Sequence, residues 1–294
     1  MGSLSKSVDM RRIDRKDNDE EINIVKSGGI IMNVYNIYFS PTGGTKKASD
    51  LVCQTLFQGQ EVIQIDLSQP EEDFSKYRFE SEDVCVIAMP SFGGRVPAVA
   101  SRRLLELSAD KTKTVLLAVY GNREFEDTLV EMEDMLSEKG FECVAAISAV
   151  AEHSIVRQYG TGRPDEADEA ELEEFGEKIK KYLAEIKILD KEDCTAWIPG
   201  NRPYKKLGTV PMKPQTDDTC LKCGTCAAQC PVQAIPLQRP WETDEEKCIS
   251  CMRCLSVCPV HARKLDSDRL AGLTERLKNV CSGRKENKLY LKYQ

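Results

Sequence analysis

Eight cysteines in two identically spaced runs constrain this chain more than any other feature. They are Cys220, Cys223, Cys226 and Cys230, then Cys248, Cys251, Cys254 and Cys258. Each run reads C-x2-C-x2-C-x3-C, with Pro231 or Pro259 directly after it. Three thiolates two residues apart wrap a short turn around three corners of one small cube, and the fourth is carried toward a neighbouring cube. Proline at that point cannot extend a helix and has no N–H, so it turns the chain away. Such spacing fits two [4Fe–4S] clusters. The alternatives are a pair of zinc sites or disulfides, but zinc usually shows two C-x2-C pairs separated by a longer run.

The double run is the ligand pattern of two-cluster bacterial ferredoxins, in which the fourth cysteine of each run ligates the other cluster. On that pattern Cys220, Cys223, Cys226 and Cys258 hold one cluster, and Cys248, Cys251, Cys254 and Cys230 hold the second. The other five cysteines (Cys53, Cys85, Cys143, Cys194 and Cys281) are irregularly spaced and read as small buried apolar residues. Thirteen cysteines behind an N-terminus with no apolar signal segment predict a reducing, cytoplasmic setting, best suited to an anaerobe. No apolar run approaches membrane-spanning length. A net charge of −7 argues against a nucleic-acid partner, since phosphate binding needs concentrated Lys and Arg.

Length predicts two domains. Residues 1–29 are polar, mixed in charge and without apolar periodicity, and read as a disordered leader; Met32 is an alternative start. From there strand and helix patterns alternate. Strand-like runs at Ile31–Phe39, Glu61–Leu67, Asp83–Met89, Thr114–Tyr120 and Glu142–Val150 are separated mostly by helical patterns at Ala48–Leu56, Val96–Leu107 and Glu124–Lys139. This predicts an α/β unit over 30–193, a five-stranded parallel sheet with helices on both faces. A long helix over 165–192 completes it, with acids crowding its first half and lysines its second, as the helix dipole favours. A Pro/Gly-rich connector over 194–215 reads as a semi-rigid spacer or strap. A small α+β unit with the two clusters spans 216–264. Residues 265–294 form a C-terminal helix, near Ser267–Val280, and a tail. Leu270, Leu273 and Leu277 give that helix an apolar stripe that reads as core.

The first strand–helix turn is SPTGGT, Ser40 to Thr45. It lacks both the Walker lysine and the G-x-G-x-x-G fingerprint. Hydroxyls at Ser40, Thr42 and Thr45, with backbone N–H groups around Gly43 and Gly44, make a neutral cradle for one phosphate monoester at a helix N-terminus. The turns after the third and fourth strands fall at the same sheet edge, where ligands of open α/β sheets bind. One carries Ser91, Phe92, Gly93, Gly94 and Arg95; the other carries Tyr120, Gly121, Asn122 and Arg123. Glycines there allow a flat ring to approach, Phe92 or Tyr120 are placed to stack, and Arg95 or Arg123 to offset charge on a reduced flavin. Ordinary strand–helix turns with incidental glycines are the plain alternative. His153 lies near the same edge and is a second candidate donor, or simply a residue closing a loop. His261 reads as surface and Cys281 as structural.

The loop SPTGGT resembles the phosphate loop of flavodoxins, S/T-x-T-G-x-T. The whole chain from Met32 to Tyr293 resembles the bacterial flavodoxin–ferredoxin fusions, also termed EFR-type ferredoxins, through YGNREFED, AEHS, GRPD, PGNRPYK and CSGRKEN. That resemblance implies a flavodoxin-like domain with FMN, followed by a bacterial-type ferredoxin domain. It implies an electron-transfer iron–sulfur flavoprotein relaying low-potential electrons between the clusters and FMN. Two alternatives stand beside it: an FMN-dependent reductase of a small organic substrate, and a cluster carrier whose flavodoxin-like domain is empty. The expected partner is a redox protein (a ferredoxin, flavodoxin or reductase) or a small electron acceptor, with neither nucleic acid nor membrane.

Overall fold

The first strand, β1 (Val34–Tyr38), pairs in parallel with β2 (Val62–Asp66) on one side and β3 (Val84–Pro90) on the other. Beyond β3 lie β4 (Thr112–Tyr120) and β5 (Phe141–Val150), both parallel, so the five run in the order 2-1-3-4-5. That is the flavodoxin-like doubly wound order, with its switch point between β1 and β3. The computed structural model describes residues 32–185, 197–208 and 212–292. The leader over 1–29, Cys194, the end of the long helix and part of the connector lie outside the described residues, as does any choice of start before Met32.

Period-2 alternation divides the sheet between two cores. Ile37, Cys85, Ile87, Met89, Leu116 and Ala118 face one side; Val34, Val84, Val86, Ala88, Val115 and Leu117 face the other. Helices α2 (Ala98–Leu104) and α3 (Thr128–Glu138) cover the first face, and α1 (Gly44–Leu56) and α4 (Glu166–Glu185) the second. Burial on both faces explains why these strands read as continuous apolar runs.

The tail differs from its expected role. Residues Lys288–Leu291 form β6, which pairs antiparallel with β5 and makes the sheet six-stranded. Four residues with a lysine at the end carry too little pattern to announce a strand. Asn287 locks the junction: its Oδ1 accepts from Val150 N at 2.8 Å, and its Nδ2 donates to Asp168 and Glu171. Asp168 in turn pairs with Arg163, which also donates to Lys285 O. The segments GRPD and CSGRKEN therefore meet in one buried network.

The connector is a strap. Asp127 accepts from the backbone N–H groups of Asn201 and Lys205 at 2.8 and 2.7 Å, and Lys205 Nζ reaches Glu126.

The cysteine-rich unit is closed by a short antiparallel ladder, Gln215–Thr216 against Arg263–Lys264. Its halves repeat each other residue for residue. Lys222 and Ser250 have φ of 55° and 56°, Gln233 and His261 have 51° and 52°, and Gly224 is matched by Met252 at 63°. Each half carries one helical turn, α5 (Thr225–Ala228) and α6 (Arg253–Ser256). Left-handed residues beside the ligand positions reverse the backbone within each run. Helix α7 (Ser267–Cys281) follows. Among the described residues no helix is long and apolar enough to cross a membrane.

Candidate functional site

The SPTGGT turn sits at the carboxyl end of β1 and opens α1. Ser40 is buried and its Oγ accepts from Lys46 N at 2.9 Å, so this hydroxyl caps the first turn. Gly43, with φ of 93°, makes the left-handed corner, and Gly44 admits Ala151, whose Cβ would stand 3.1 Å from a side chain there. Thr42, Gly44 and Thr45 line a recess of about 410 Å³, open in part to solvent. Both nearby lysines are turned outward, Lys46 to Asp50 and Lys47 to Glu169 and Pro164 O. The cradle is thus built of hydroxyls and helix N–H groups without a lysine, a set that suits one phosphate monoester.

Pro90, Ser91, Phe92, Tyr120, Gly121, Glu152 and Ser154 line the same recess. Phe92 and Arg95 exchange backbone hydrogen bonds of 2.9 and 3.3 Å across Gly93 and Gly94, both with positive φ, in a two-residue primed turn. A side chain at Gly94 would overlap Glu126, its Cβ only 1.7 Å from Oε2. Gly121 is equally constrained, since a Cβ there would lie 2.7 Å from His153 Cα. Tyr120 is buried, packs on Phe125 and presents its flank to the recess.

Two expected ring-site residues are engaged elsewhere. Arg95 forms a bidentate pair with Glu131 at 2.7 and 2.8 Å, stacks on Tyr204 and donates to Lys205 O. It pins the strap and borders neither recess. Asn122 is buried, donating to Cys281 O and Gly283 O and accepting from Lys285 N. Its side chain anchors the tail. Arg123, by contrast, lines a second, larger recess of about 690 Å³, its guanidinium held by Glu126 at 2.7 and 3.1 Å.

Ser91, Phe92, Gly121 and Ser154 border both recesses, so the two are continuous along one wall. The far wall of the larger one comes from Ile249 and Ser250 in the cysteine-rich unit and from Leu273 and Leu277 of α7. Those leucines also pack with Val156, Tyr159 and Cys281, so the stripe read as core does double duty. His153 lies in the same recess. Its ring is mostly enclosed, and burial, with Arg123 beside it, pushes its pKa down to about 4. It therefore stays neutral where a solvent-exposed histidine would titrate.

Four of the cysteines share one cavity. Cys230, Cys248, Cys251 and Cys254 line it, and its other walls include Val232, Ile235, Ile249 and Met252. These are the four residues that the crossed pattern assigns to the second cluster. Burial, reinforced by neighbouring Cys230, Cys254 and Cys248, raises the Cys251 thiol to about 12. Cys258 lies close enough to Cys223 for the two to act on each other's charge, although they belong to different runs. The fourth sulfurs are seated alike: Cys230 accepts from Ala234 N at 3.3 Å and Cys258 from Ala262 N at 3.2 Å.

Two arginines flank the sulfurs. Arg263 is buried and donates to Thr243 and to backbone oxygens of Pro240 and Glu242; Arg253 lines the cysteine cavity. Each leaves its Nε buried without a partner. Buried cationic N–H groups with spare donor capacity suit a group carrying negative charge, and a thiolate-ligated cluster is one. Among the described residues no group of three or more His, Cys, Asp or Glu is placed to hold a metal ion.

The cysteine-rich unit sits on the sheet edge through its second half and through the segment that follows Cys230. Arg253 donates to Ser40 O and Pro41 O of the phosphate-type loop at 3.4 and 3.3 Å, and Arg103 bridges Leu67 O and Pro231 O. Cys251 itself borders the recess that holds Thr42, Gly44 and Thr45. Elsewhere the first half faces outward: Cys223 is exposed, and Leu221, Leu237 and Trp241 around it are 65%, 62% and 38% exposed. Arg253, Ile249 and Ser250 were not legible as site residues, because only docking brings them to the loop.

Residues 215–264 match the family of 4Fe-4S dicluster domains. No curated protein matches the chain. Among solved structures, a flavodoxin from Streptococcus pneumonia TIGR4 is 17% identical over 52% of this chain and 99% of its own, with a TM-score of 0.38. Oxidised flavodoxin 2 from Bacillus cereus is 17% identical over 51% of this chain and 99% of its own, at 0.38. Rubredoxin oxygen:oxidoreductase from the anaerobe Desulfovibrio gigas is 13% identical over 53% of this chain and 37% of its own, at 0.36. The dicluster match and the 2-1-3-4-5 strand order fit a flavodoxin-like domain followed by a ferredoxin-type dicluster domain.

Proposed function

We propose that this protein carries two [4Fe–4S] clusters and one FMN and relays low-potential electrons between a redox partner and the flavin, in a reducing cytoplasmic setting. One observation carries this reading: Cys251 borders the same recess as Thr42, Gly44 and Thr45. When bound, such clusters carry one electron at a time, and FMN holds one or two with their protons.

Thr42, Thr45 and the α1 N-terminus would hold the phosphate. Phe92, Tyr120 and the Gly93 and Gly121 turns would receive the ring, and Arg123 would stand beside its charge. Cys230, Cys248, Cys251 and Cys254 would hold the inner cluster, and Cys220, Cys223, Cys226 and Cys258 the outer one. Arg253 ties the two sites by holding the loop carbonyls of Ser40 and Pro41 from the turn that bears Cys251 and Cys254. Leu273, Leu277 and Ile249 would give the ring side an apolar wall.

A reduced ferredoxin, too large to enter the recess, should reduce the flavin of the FMN-loaded full chain. The Cys251→Ala chain should bind FMN and fail to receive those electrons. Equally fast flavin reduction in both chains would overturn the relay.

A further inference from the structure

His153 is held with unusual completeness for a loop residue. Gly121 leaves room for it and for nothing more: a Cβ at Gly121 would meet His153 Cβ and Cδ2 at 2.9 Å each. Its backbone N–H donates to Tyr159 O at 3.0 Å. Its Nδ1 accepts two hydrogen bonds, from Ile155 N at 3.2 Å and Val156 N at 3.1 Å. A ring nitrogen that accepts from two N–H groups carries no proton, so the neutral imidazole must carry its single proton on Nε2. Among the described residues Nε2 has no hydrogen-bond partner, while the ring borders the larger recess with Arg123. Burial and the Arg123 charge both oppose a second proton. The loop has thus fixed the tautomer, the orientation and the charge of one side chain.

We propose that His153 is a fixed Nε2–H donor to the pyrimidine edge of the flavin, with the Arg123 charge beside it, so that the recess holds reduced flavin more tightly than oxidised flavin. The inference rests on the FMN reading above and adds to it the orientation of the ring and the means by which its potential is raised. No bond to His153 forms or breaks, and it keeps its proton throughout. What changes is the negative charge on the acceptor atoms that face it, and a hydrogen bond strengthens when its acceptor becomes charged. By the thermodynamic cycle, each tenfold preference for the reduced form raises the two-electron potential by about 30 mV.

The test uses the full chain under anaerobic conditions with FMN as the probe. His153→Asn places an amide oxygen where Nδ1 stands, keeping an acceptor for the Ile155 and Val156 amides while removing the distal donor. His153→Gln carries an amide N–H outward to the Nε2 position. Dissociation constants are measured for oxidised and for dithionite-reduced FMN, and their ratio is compared. The Asn variant should lose about tenfold of the preference for reduced FMN, the effect of one hydrogen bond to a charged group. The Gln variant should recover part of it. An unchanged ratio in the Asn variant would overturn the inference, and so would equal weakening of both forms, which a merely structural role predicts. Nitrogen NMR of the flavin-free chain gives an independent check: a proton on Nδ1 of His153 would also overturn it. Failure of the wild-type chain to bind FMN at all would instead strike the flavin reading.

Discussion

At the scale of single residues, chemistry-bearing side chains divide by what they touch. Arg95 and Arg123 look equivalent in sequence, each following a glycine turn at the sheet edge. Of the two, only Arg123 borders the larger recess, because Glu131 and Tyr204 draw Arg95 to the strap. No local pattern announces that difference, since Glu131 lies on another element. His153 has a consequence for stability. Its folded pKa of about 4 lies below the ordinary 6.5, so the folded chain excludes a proton that the unfolded chain binds. The contribution is complete above pH 6.5 and shrinks as pH falls toward 4, by about 2 kcal/mol at pH 5. Urea unfolding of wild type and His153→Asn at pH 7.5 and pH 5 should show the wild-type advantage shrinking; the same difference at both values would contradict the assignment.

At the scale of elements, the five parallel strands were legible because burial on both faces writes them as apolar runs. β6 was not, since a four-residue edge strand is specified by the Asn287, Arg163 and Asp168 network and not by its own pattern. Asn287→Ala would leave Val150 N buried without its acceptor and strip a donor from Asp168. The expected loss is about 2 kcal/mol, read as a lower urea midpoint with an unchanged slope. An unchanged midpoint would mean the tail is held by its strand pairing alone. The Pro/Gly-rich connector gave either a spacer or a strap from composition; Asp127 decides for the strap by capping two of its backbone N–H groups. The cysteine runs were fully legible, because a repeated spacing is local by nature. Met252 shows what repetition hides: it stands where the first half has Gly224, keeps the left-handed backbone, and is buried in the cysteine cavity wall.

At the scale of the whole molecule, the two halves of the cysteine-rich unit have unequal surroundings despite equal sequence patterns. The second half docks on the phosphate-type loop, while the first touches the α/β unit through the segment after Cys230 and leaves Cys223 exposed, an asymmetry that no spacing contains. Replacing Cys223 with alanine should remove the outer cluster, lowering iron from about eight atoms per chain toward about four, and weaken the inner one through the shared fold. Retention of both clusters would show the ligand assignment to be wrong. Changing Thr42 and Thr45 to tryptophan should release FMN while iron stays unchanged, measured on the same preparation; equal flavin content would remove the loop from the site. The central claim, one chain holding both kinds of redox centre side by side, is tested most directly by iron, sulfide and flavin content of the anaerobically purified protein. The account predicts about eight irons and eight sulfides with one FMN. Full iron with no flavin, even after incubation with FMN, would contradict it.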